Sequence, residues 1–422
     1  GGGGIFLERK VTVSIRECVF VRNEATEQAS AGVGKHGGQI MTLTNHDVEE
    51  AVITVVNTKF TNHAGEHPFY EYDVHSNSAT HGVTPANCVA DPCSSPPFTG
   101  DCFPSASPNQ GVICDPPACP VGSYTQVFFT SLPPPLALPC GETMPEFSCS
   151  KLFTRGVYQR SQDCTFGGEV LLSRDLSVTG REGKHTMLMA ASETRHFKIT
   201  SGAHTLRLKW LNLTGADVSG NDSPNNLGGS IFVSNAAAQV NISHCVFFNN
   251  RALHGGAVYA TDGGHATLFF SSVLFESNTA VTMGGAVVLN RAMFKGERNS
   301  FLRNSGEYGG AIYVDKGSVF SSTHSMYVKN SAKYIAGAMF VLGDSTYPTK
   351  LNLTRVKLTQ NTQTGGGISS DRGGGGLALQ SLVTANIREC TFVLNKATTG
   401  LVGQKHGHQI MTFKSNASIP II

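Results

Sequence analysis

The chain has 422 residues, 15% of them charged, and a formal net charge of +2 at pH 7. This small charge and the lack of any basic run argue against nucleic acid as a partner. No stretch of about eighteen apolar residues is present, so the sequence predicts no membrane span in this segment. Glycine is abundant, with 47 residues, which favours many tight corners over broad helical faces.

The start of the chain recurs near its end. GGGGIFLERKVTVSIRECVFVRN at 1–23 matches GGGGLALQSLVTANIRECTFVLN at 373–395, and KHGGQIMT at 35–42 matches KHGHQIMT at 405–412. The offset of about 370 residues far exceeds one coil of a solenoid. We therefore expect a tandem array with slightly more than one period in this chain.

In that array, residues 1–70 are interpreted as the C-terminal coils of a preceding solenoid unit. Residues 1–6 and the apolar 419–422 are expected to be junction strands between units. The last coils of 165–422 would repeat residues 1–53.

Two groups of histidines could be read either as metal ligands or as loop and turn residues. HAGEH at 63–67 has the H-x-x-E-H spacing of one metalloprotease class, in which a helical turn presents both histidines to zinc. The glycine inside it and the following Pro68 disfavour a helix, so a solvated loop is the preferred interpretation and metal binding the alternative. His36 and His406 recur in the repeated KHG, where a turn is favoured over a metal or glycan ligand.

Residues 71–164 are rich in proline and cysteine, and we interpret them as a disulfide-stapled connector. The zinc alternative needs close C-x-x-C pairs near histidine, which are absent from this stretch. Most of the eleven cysteines crowd into one region, an even-numbered set that predicts disulfides in an oxidising compartment: Cys88, Cys93, Cys102, Cys114, Cys119, Cys140, Cys149 and Cys164. Cys18, Cys245 and Cys390 stand alone in strand-like contexts and are expected to be small buried hydrophobic residues.

Residues 165–422 carry a short repeat that predicts a solenoid. From residue 228 onward a glycine pair precedes small and apolar residues: GGSIF at 228, GGAVY at 255, GGAVV at 284, GGAIY at 309 and the decayed AGAMF at 336. Copies lie roughly 25 to 31 residues apart, the length of one coil. Residues 165–227 alternate apolar and polar residues between turns, as expected of the entry to the solenoid.

The second part of this repeat is an aromatic or apolar residue three positions before an asparagine. The aromatic side chain is expected to fill the bore, while the asparagine bonds the backbone of neighbouring coils and forms a ladder. The ladder candidates are Asn250, Asn278, Asn304, Asn330, Asn361 and Asn395. The sequence therefore predicts an all-β, right-handed parallel β-helix with a disulfide-rich, proline-rich insert.

Asn-x-Ser/Thr sequons occur at Asn212, Asn221, Asn241, Asn352 and Asn416. With the predicted disulfides they indicate an extracellular or cell-surface glycoprotein carrying N-linked glycans, if the source is a eukaryote.

Polysaccharide lyases and hydrolases also use this kind of fold, and they need carboxylates paired across a groove. The acids here are scattered beside glycine or serine, as turn residues are: Asp217, Asp222, Asp262, Asp315 and Asp344. Asp262 and His265 form one close pair, for which a turn is the preferred interpretation. The glycine runs at 1–4 and 373–376 lack the lysine and helix of a phosphate loop. We predict no catalytic residues, no metal site and no cofactor.

The GGAI/GGAV and Phe-x-x-Asn motifs resemble the repeats of polymorphic outer-membrane proteins and related β-helix adhesins, and those of large algal and protist surface proteins. The resemblance covers roughly residues 165–422 and 1–60. It implies a parallel β-helix with a surface or adhesive role.

Together these observations favour a structural protein that self-associates into a surface fibre. An adhesin or carbohydrate-binding surface protein is the alternative, and a polysaccharide lyase or hydrolase is a weaker one.

Overall fold

Alternating apolar and polar residues decide the secondary structure of this chain, because successive side chains of a strand point to opposite faces. The computed structural model describes residues 4–7, 11–27, 40–44, 52–56, 58–61, 69–73, 78–81, 112–113, 146–150, 156–261, 266–365 and 373–399. Within these ranges every regular element is a strand, and no helix occurs. The all-β prediction is confirmed.

The coil 267–290 illustrates the repeating unit. In Thr267–Ser271 and Leu274–Glu276, every second side chain is buried and points into the bore, the interior of the solenoid. Thr279–Met283 follows, and Val287–Asn290 then closes the coil with three consecutive buried residues. This coil therefore presents four short walls, and its apolar residues leave water only when the next coil stacks on it.

In the described ranges, equivalent strands of successive coils form four sheets, named sheets 1 to 4 in the order in which coil 267–290 visits them, and the strand counts are those of these ranges. Sheet 1 has 12 strands: Val112–Ile113, Val52–Val56, Thr12–Arg16, Val383–Arg388, Thr349–Thr354, Val319–Thr323, Met293–Glu297, Thr267–Ser271, Gln239–Ser243, Thr205–Lys209, Leu176–Thr179 and Gly156–Gln159. Sheet 2 has 11: Cys164–Thr165, Thr186–Met189, Leu211–Thr214, Val246–Phe248, Leu274–Glu276, Ser300–Leu302, Met326–Val328, Lys357–Thr359, Thr391–Val393, Val19–Val21 and Lys59–Thr61.

Sheet 3 has 7 strands: Arg251–His254, Thr279–Met283, Ser305–Tyr308, Ser331–Ile335, Thr362–Gln363, Lys396–Thr399 and Glu24–Glu27. Sheet 4 has 12: Val170–Leu171, Phe197–Ile199, Ile231–Val233, Val258–Ala260, Val287–Asn290, Ile312–Asp315, Met339–Leu342, Leu377–Gln380, Ile5–Leu7, Ile40–Thr44, Phe69–Asp73 and Ser78–His81. Among the described strands all pairings are parallel except the last one in sheet 4, which is antiparallel. The fold is a parallel β-helix.

The glycine pair forms the corner between sheets 3 and 4. The first glycine takes a left-handed backbone, with φ of 63° at Gly255 and 60° at Gly284, and Ala336 adopts 57° in the decayed copy. Both positions are crowded: a Cβ at Gly255 would lie 2.3 Å from the carbonyl oxygen of Val258, and a Cβ at Gly337 would lie 2.3 Å from that of Gly375 in the next coil. Ala336 therefore occupies the first position at some strain, whereas the second position is glycine in this copy as in the others.

A column of aromatic rings fills the bore beside sheet 2. Phe275 stacks on Phe301 with ring centroids 4.7 Å apart, and Phe301 stacks on Tyr327 at the same distance. The planes differ by only 3°, so the rings repeat at the spacing of the strands that carry them. The inward orientation predicted for the residue three before each asparagine is confirmed.

Residues 4–27 supply the coil that stacks on residues 373–399. Ile5–Leu7 pairs with Leu377–Leu379 in register, and Thr12–Arg16 pairs with Thr384–Arg388. The two copies of the long-repeat sequence, in coils 4–27 and 373–399, thus lie as neighbouring coils of one solenoid. The division into a preceding unit, a connector and a second solenoid stays a prediction, since most of 71–164 lies outside the described residues.

Candidate functional site

The ladder asparagines form a continuous chain of buried hydrogen bonds at the corner between sheets 2 and 3. Asn304 is representative: its Nδ2 donates to the carbonyl oxygen of Phe275 in the preceding coil and to Oδ1 of Asn330 in the next, both at 3.0 Å. Its backbone N–H also donates to Oδ1 of Asn330, at 3.0 Å. In turn, Oδ1 of Asn304 accepts from the backbone and side chain of Asn278.

The same three-donor pattern recurs along the stack, and its members share almost complete burial: Asn250, Asn278, Asn304, Asn330, Asn361 and Asn395. Asn23 extends the ladder, because it accepts two bonds from Asn395 and donates to the carbonyl oxygen of Phe392. The sequence could have identified Asn23, since the long repeat aligns it with Asn395.

A second, shorter polar row lies at the corner between sheets 1 and 2 and was missed from the sequence. Asn299 donates from Nδ2 to the carbonyl oxygen of Phe270 and accepts from the backbone N–H of Val273. Its own N–H donates to Oγ of Ser325, at 3.1 Å. The equivalent position holds valine, cysteine, leucine or threonine in other described coils, so no regular spacing marks the row.

The contact between coil 373–399 and coil 4–27 uses the same elements as every other coil contact. Phe20 stacks on Phe392 at 4.7 Å with planes 3° apart. At the surface, Arg388 lies 3.8 Å from a carboxylate oxygen of Glu17. The face of coil 373–399 is therefore complementary to the coil that its own sequence resembles.

An open cleft of about 640 Å³ lies where the segment 215–227 leaves the solenoid between sheets 2 and 4. Arg195 is its buried support: Nη1 donates to the carbonyl oxygen of Leu227 at 2.5 Å, and Nη2 donates to that of Asn225. Nε lies 2.8 Å from Oε2 of Glu169, with which it forms an ion pair. Burial lowers the pKa of Arg195, opposed by the Glu169 charge. Arg195 therefore anchors the segment.

A second cleft of about 550 Å³ adjoins the first across Glu169. Its lining combines the cation of Lys198 with Leu171, which is 49% exposed, and the ring of Tyr259. The Glu169 carboxylate already contacts both Arg195 and Lys198. Its charge is thus paired with two cations.

The described carboxylates that the sequence raised as possible catalytic acids lie between strands or, for Asp315, at the end of a strand of sheet 4, where the charge of Asp344 acts on it. Asp217 accepts bonds from Ser219, and Asp344 accepts from the backbone N–H groups of Thr346 and Tyr347. Asp315 is buried, which raises its pKa to about 6 although the N–H of Lys316 donates to it. Asp222 is exposed on the rim of the first cleft.

Metal binding was tested across the same part of the chain. No group of three or more His, Cys, Asp or Glu side chains in the described ranges is arranged to hold a metal ion. The HAGEH segment at 63–67, His36, His406, and the pair Asp262 and His265 lie outside the described residues.

The cysteine predictions are resolved in one case. Cys149 and Cys164 form a disulfide with Cα atoms 6.1 Å apart, at the end of the solenoid where Phe147 enters the core. The other candidates lie outside the described residues: Cys88, Cys93, Cys102, Cys114, Cys119 and Cys140. Cys18, Cys245 and Cys390 are buried, as expected of small hydrophobic residues, but Cys18 and Cys390 are not isolated: they are in contact.

The four described sequons differ in accessibility. Asn221, on the segment that borders the first cleft, is half-buried, as are Asn212 and Asn352 on sheets 2 and 1. Asn241 is only 9% exposed, with both side-chain polar atoms buried. Asn416 lies outside the described residues. Glycosylation of these asparagines stays a prediction.

Comparison with known proteins does not assign the chain to a family. No protein-family model matches the chain. A metabotropic glutamate receptor-like protein R of Dictyostelium discoideum is 30% identical over 123 residues, which is 28% of this chain. The chain spans 7% of the length of that relative, so the match establishes no family. In the part of the chain that the structure describes, no helix is long and apolar enough to cross a membrane.

Proposed function

We propose that the chain is a structural unit of an extracellular fibre or filament, in which β-helical units associate end to end. The observation that supports this most directly is the stacking of coil 4–27 on coil 373–399. Two segments far apart in the sequence meet there through the same asparagine ladder and ring stack that join consecutive coils.

The physical argument concerns the ends of the solenoid. A terminal coil has a row of unpaired backbone N–H and C=O groups and a half-covered apolar bore, which together form a template for another coil. Repeat solenoids remain soluble when atypical terminal repeats cover this template. Here the face of coil 373–399 is covered by coil 4–27, whose sequence resembles its own. The equivalent coil of a neighbouring unit would present the same asparagine and the same aromatic ring to this face.

Two observations support an extracellular or surface location. Disulfides such as Cys149–Cys164 persist mainly in oxidising compartments. The partial match to a receptor-like protein points the same way.

A role as an adhesin or carbohydrate-binding surface protein is the second candidate. The cleft of about 550 Å³ supports it, because the exposed Leu171 and the neighbouring Lys198 offer an apolar surface with a polar donor, as ligand sites do. Glycan-array binding that is lost in the Leu171→Asp variant would favour this role. Polysaccharide cleavage is weaker, since Glu169 is paired with two cations.

Negative-stain electron microscopy of the purified full chain at rising concentration tests the proposal. We expect rods that join into filaments with a regular axial repeat. The Phe20→Asp variant places a charge in the ring stack and should yield single rods, whereas Phe248→Asp, on the exposed side of sheet 2, should still form filaments. Circular dichroism verifies that both variants retain their β structure. Discrete rods of the unaltered chain at every concentration, or filaments undiminished by Phe20→Asp, would overturn the proposal.

A further inference from the structure

Two thiols meet at the contact between coil 4–27 and coil 373–399. Cys18 and Cys390 are each 1% exposed, and both are free cysteines. The backbone N–H of Cys390 donates to Sγ of Cys18 at 3.3 Å, while the two thiols donate to the carbonyl oxygens of Arg16 and Arg388. They were not recognised as partners in the sequence because 372 positions separate them.

The register of the strands places these cysteines directly opposite each other. Arg16 pairs with Arg388 in sheet 1, and Val19 pairs with Thr391 in sheet 2, so Cys18 and Cys390 occupy the same corner of consecutive coils. Neighbouring parallel strands lie about 4.8 Å apart, which falls within the Cα separation of about 4.4–6.8 Å that disulfides span.

Cys245 provides an internal comparison. It occupies the same corner in its own coil and is also 1% exposed. Its neighbours above and below at this corner are Leu211 and Val273, as the pairing of the adjoining strands shows. At this corner, Cys18 therefore faces another thiol where coils 4–27 and 373–399 meet. Cys245 faces leucine and valine instead.

We propose that Cys18 and Cys390 are oxidised to a disulfide that fastens coil 4–27 to coil 373–399. The inference goes beyond the fibre and does not depend on it, because the bond can form within one chain or between two.

The chemistry requires a disulfide oxidant such as oxidised glutathione. The thiolate of one cysteine attacks the oxidant, forms a mixed disulfide and releases one molecule of reduced thiol. The thiolate of the other cysteine then attacks the protein sulfur of the mixed disulfide, and the second reduced thiol leaves. Two cysteine thiols lose their protons and two electrons to the oxidant, and one S–S bond replaces two S–H bonds.

The environment of the two sulfurs indicates when they react. The contact with Cys390, reinforced by burial, raises the pKa of Cys18 well above its usual value. Both thiols are buried in the closed junction, so the oxidant reaches them when coil 4–27 lifts away from coil 373–399. Once the coil closes, burial protects the bond from reductants.

Peptide mapping of the full chain tests the proposal. The reduced protein is equilibrated with oxidised and reduced glutathione without denaturant, and the remaining thiols are alkylated in denaturant. Trypsin then releases residues 17–22 and 389–396, each with one of the two cysteines. We expect these peptides to appear disulfide-linked and to separate on reduction. The link should survive Cys245→Ser and vanish in Cys18→Ser, which leaves Cys390 open to alkylation.

Three outcomes would overturn the proposal. Cys18 and Cys390 could both be alkylated completely while the peptides of Cys149 and Cys164 are linked. Cys245 could pair with Cys18 or Cys390 as often as they pair with each other. Either of the two could pair predominantly with a cysteine of the connector.

A non-reducing gel and electron microscopy distinguish failure of the disulfide proposal from failure of the fibre proposal. On a non-reducing gel, linked peptides in a monomer band place the bond within one chain, and linked peptides in a series of multimers place it between copies. Filaments that form without the linked peptides would reject the disulfide and leave the fibre standing.

Discussion

The side-chain amide of Asn395 donates a hydrogen bond of 3.0 Å to Oδ1 of Asn23, a residue 372 positions earlier in the chain. The backbone N–H of Asn395 donates to the same oxygen, at 3.1 Å. This geometry matches that of Asn304 and Asn330, which are 26 residues apart. The corner of coil 373–399 therefore binds coil 4–27 as it would bind the next coil of the same solenoid.

Removing a ladder residue from the middle of the stack should destabilise the solenoid strongly. In Asn304→Ala, Asn278 loses the acceptor for two donors, and the carbonyl oxygen of Phe275 loses its side-chain donor. A buried polar group left unsatisfied costs about 1–3 kcal/mol, so we expect a loss of unfolding free energy at the upper end of that range or above it. Denaturant unfolding followed by circular dichroism measures it.

Asn352→Ala is the matched control. Asn352 is half-buried on sheet 1, and its weaker bonds join it to Ser321 and Asn386 near the surface. We expect a change within about 0.5 kcal/mol, as for surface substitutions. Equal losses in the two variants would show that the ladder has no special energetic role.

Period alone sufficed to predict the coils, the inward rings and the ladder positions, because each coil must bury the same face against its neighbour. Contacts that depend on which coils meet escaped prediction. The register of Cys18 with Cys390 and the extension of the ladder to Asn23 require knowing that coil 4–27 lies on coil 373–399.

The cleft region shows a second limit. Arg195 is anchored by carbonyl groups of Leu227 and Asn225 in a segment that occurs once, between two coils. A single insertion carries no periodic signal, and a buried arginine reads in the sequence as an ordinary surface residue. Irregular segments such as this one are where loop geometry, rather than the repeat, decides the structure.

The ring stack should tolerate loss of a hydroxyl far better than loss of a ring. Phe301→Ala removes the ring between Phe275 and Tyr327 and should cost about 3–5 kcal/mol, through the cavity it leaves. Tyr327→Phe keeps the ring but removes the bond of 3.2 Å to the buried hydroxyl of Ser322, a loss of about 0.5–1.5 kcal/mol.

Phe248→Ala serves as the control for the ring stack, because Phe248 is 41% exposed on the outer face of sheet 2. Thermal unfolding of the three variants should rank Phe301→Ala as the least stable. A larger effect at Phe248 than at Phe301 would contradict the assignment of the stack to the core.

In a eukaryotic secretory host, sequon occupancy should follow accessibility, with Asn241 occupied least. Asn221 is half-buried on the segment beside the cleft, whereas both polar atoms of Asn241 are buried in the stack. A glycan on Asn241 would prevent the neighbouring coils from packing around it. Mass mapping after enzymatic deglycosylation measures each site, and high occupancy at Asn241 in folded protein would refute the prediction.

Asp315 should make the solenoid less stable as pH rises. Burial raises its pKa from 3.8 to about 6, so its contribution is complete below 3.8 and is lost as pH rises through about 6. Asp315→Asn keeps an oxygen acceptor for the N–H of Lys316 but does not titrate. The unfolding free energy of the variant minus that of the unaltered chain should therefore be about 3 kcal/mol larger at pH 7 than at pH 3.5. Denaturant unfolding at both pH values tests this.

His196 should act in the opposite direction and make the solenoid sensitive to acid. It is fully buried, with Nε2–H donating to the carbonyl oxygen of Leu188 and Nδ1 accepting from Ser230, and burial lowers its pKa from 6.5 to about 4. The unfolded chain then binds a proton below pH 6.5 that the folded chain refuses, so the contribution of His196 to stability falls by about 3 kcal/mol between pH 6.5 and 4, opposite to the contribution of Asp315. His196→Gln keeps a donor and an acceptor without titrating. The unfolding free energy of this variant minus that of the unaltered chain should therefore be about 3 kcal/mol larger at pH 4 than at pH 7. Parallel pH profiles for the unaltered chain and His196→Gln would contradict the assignment.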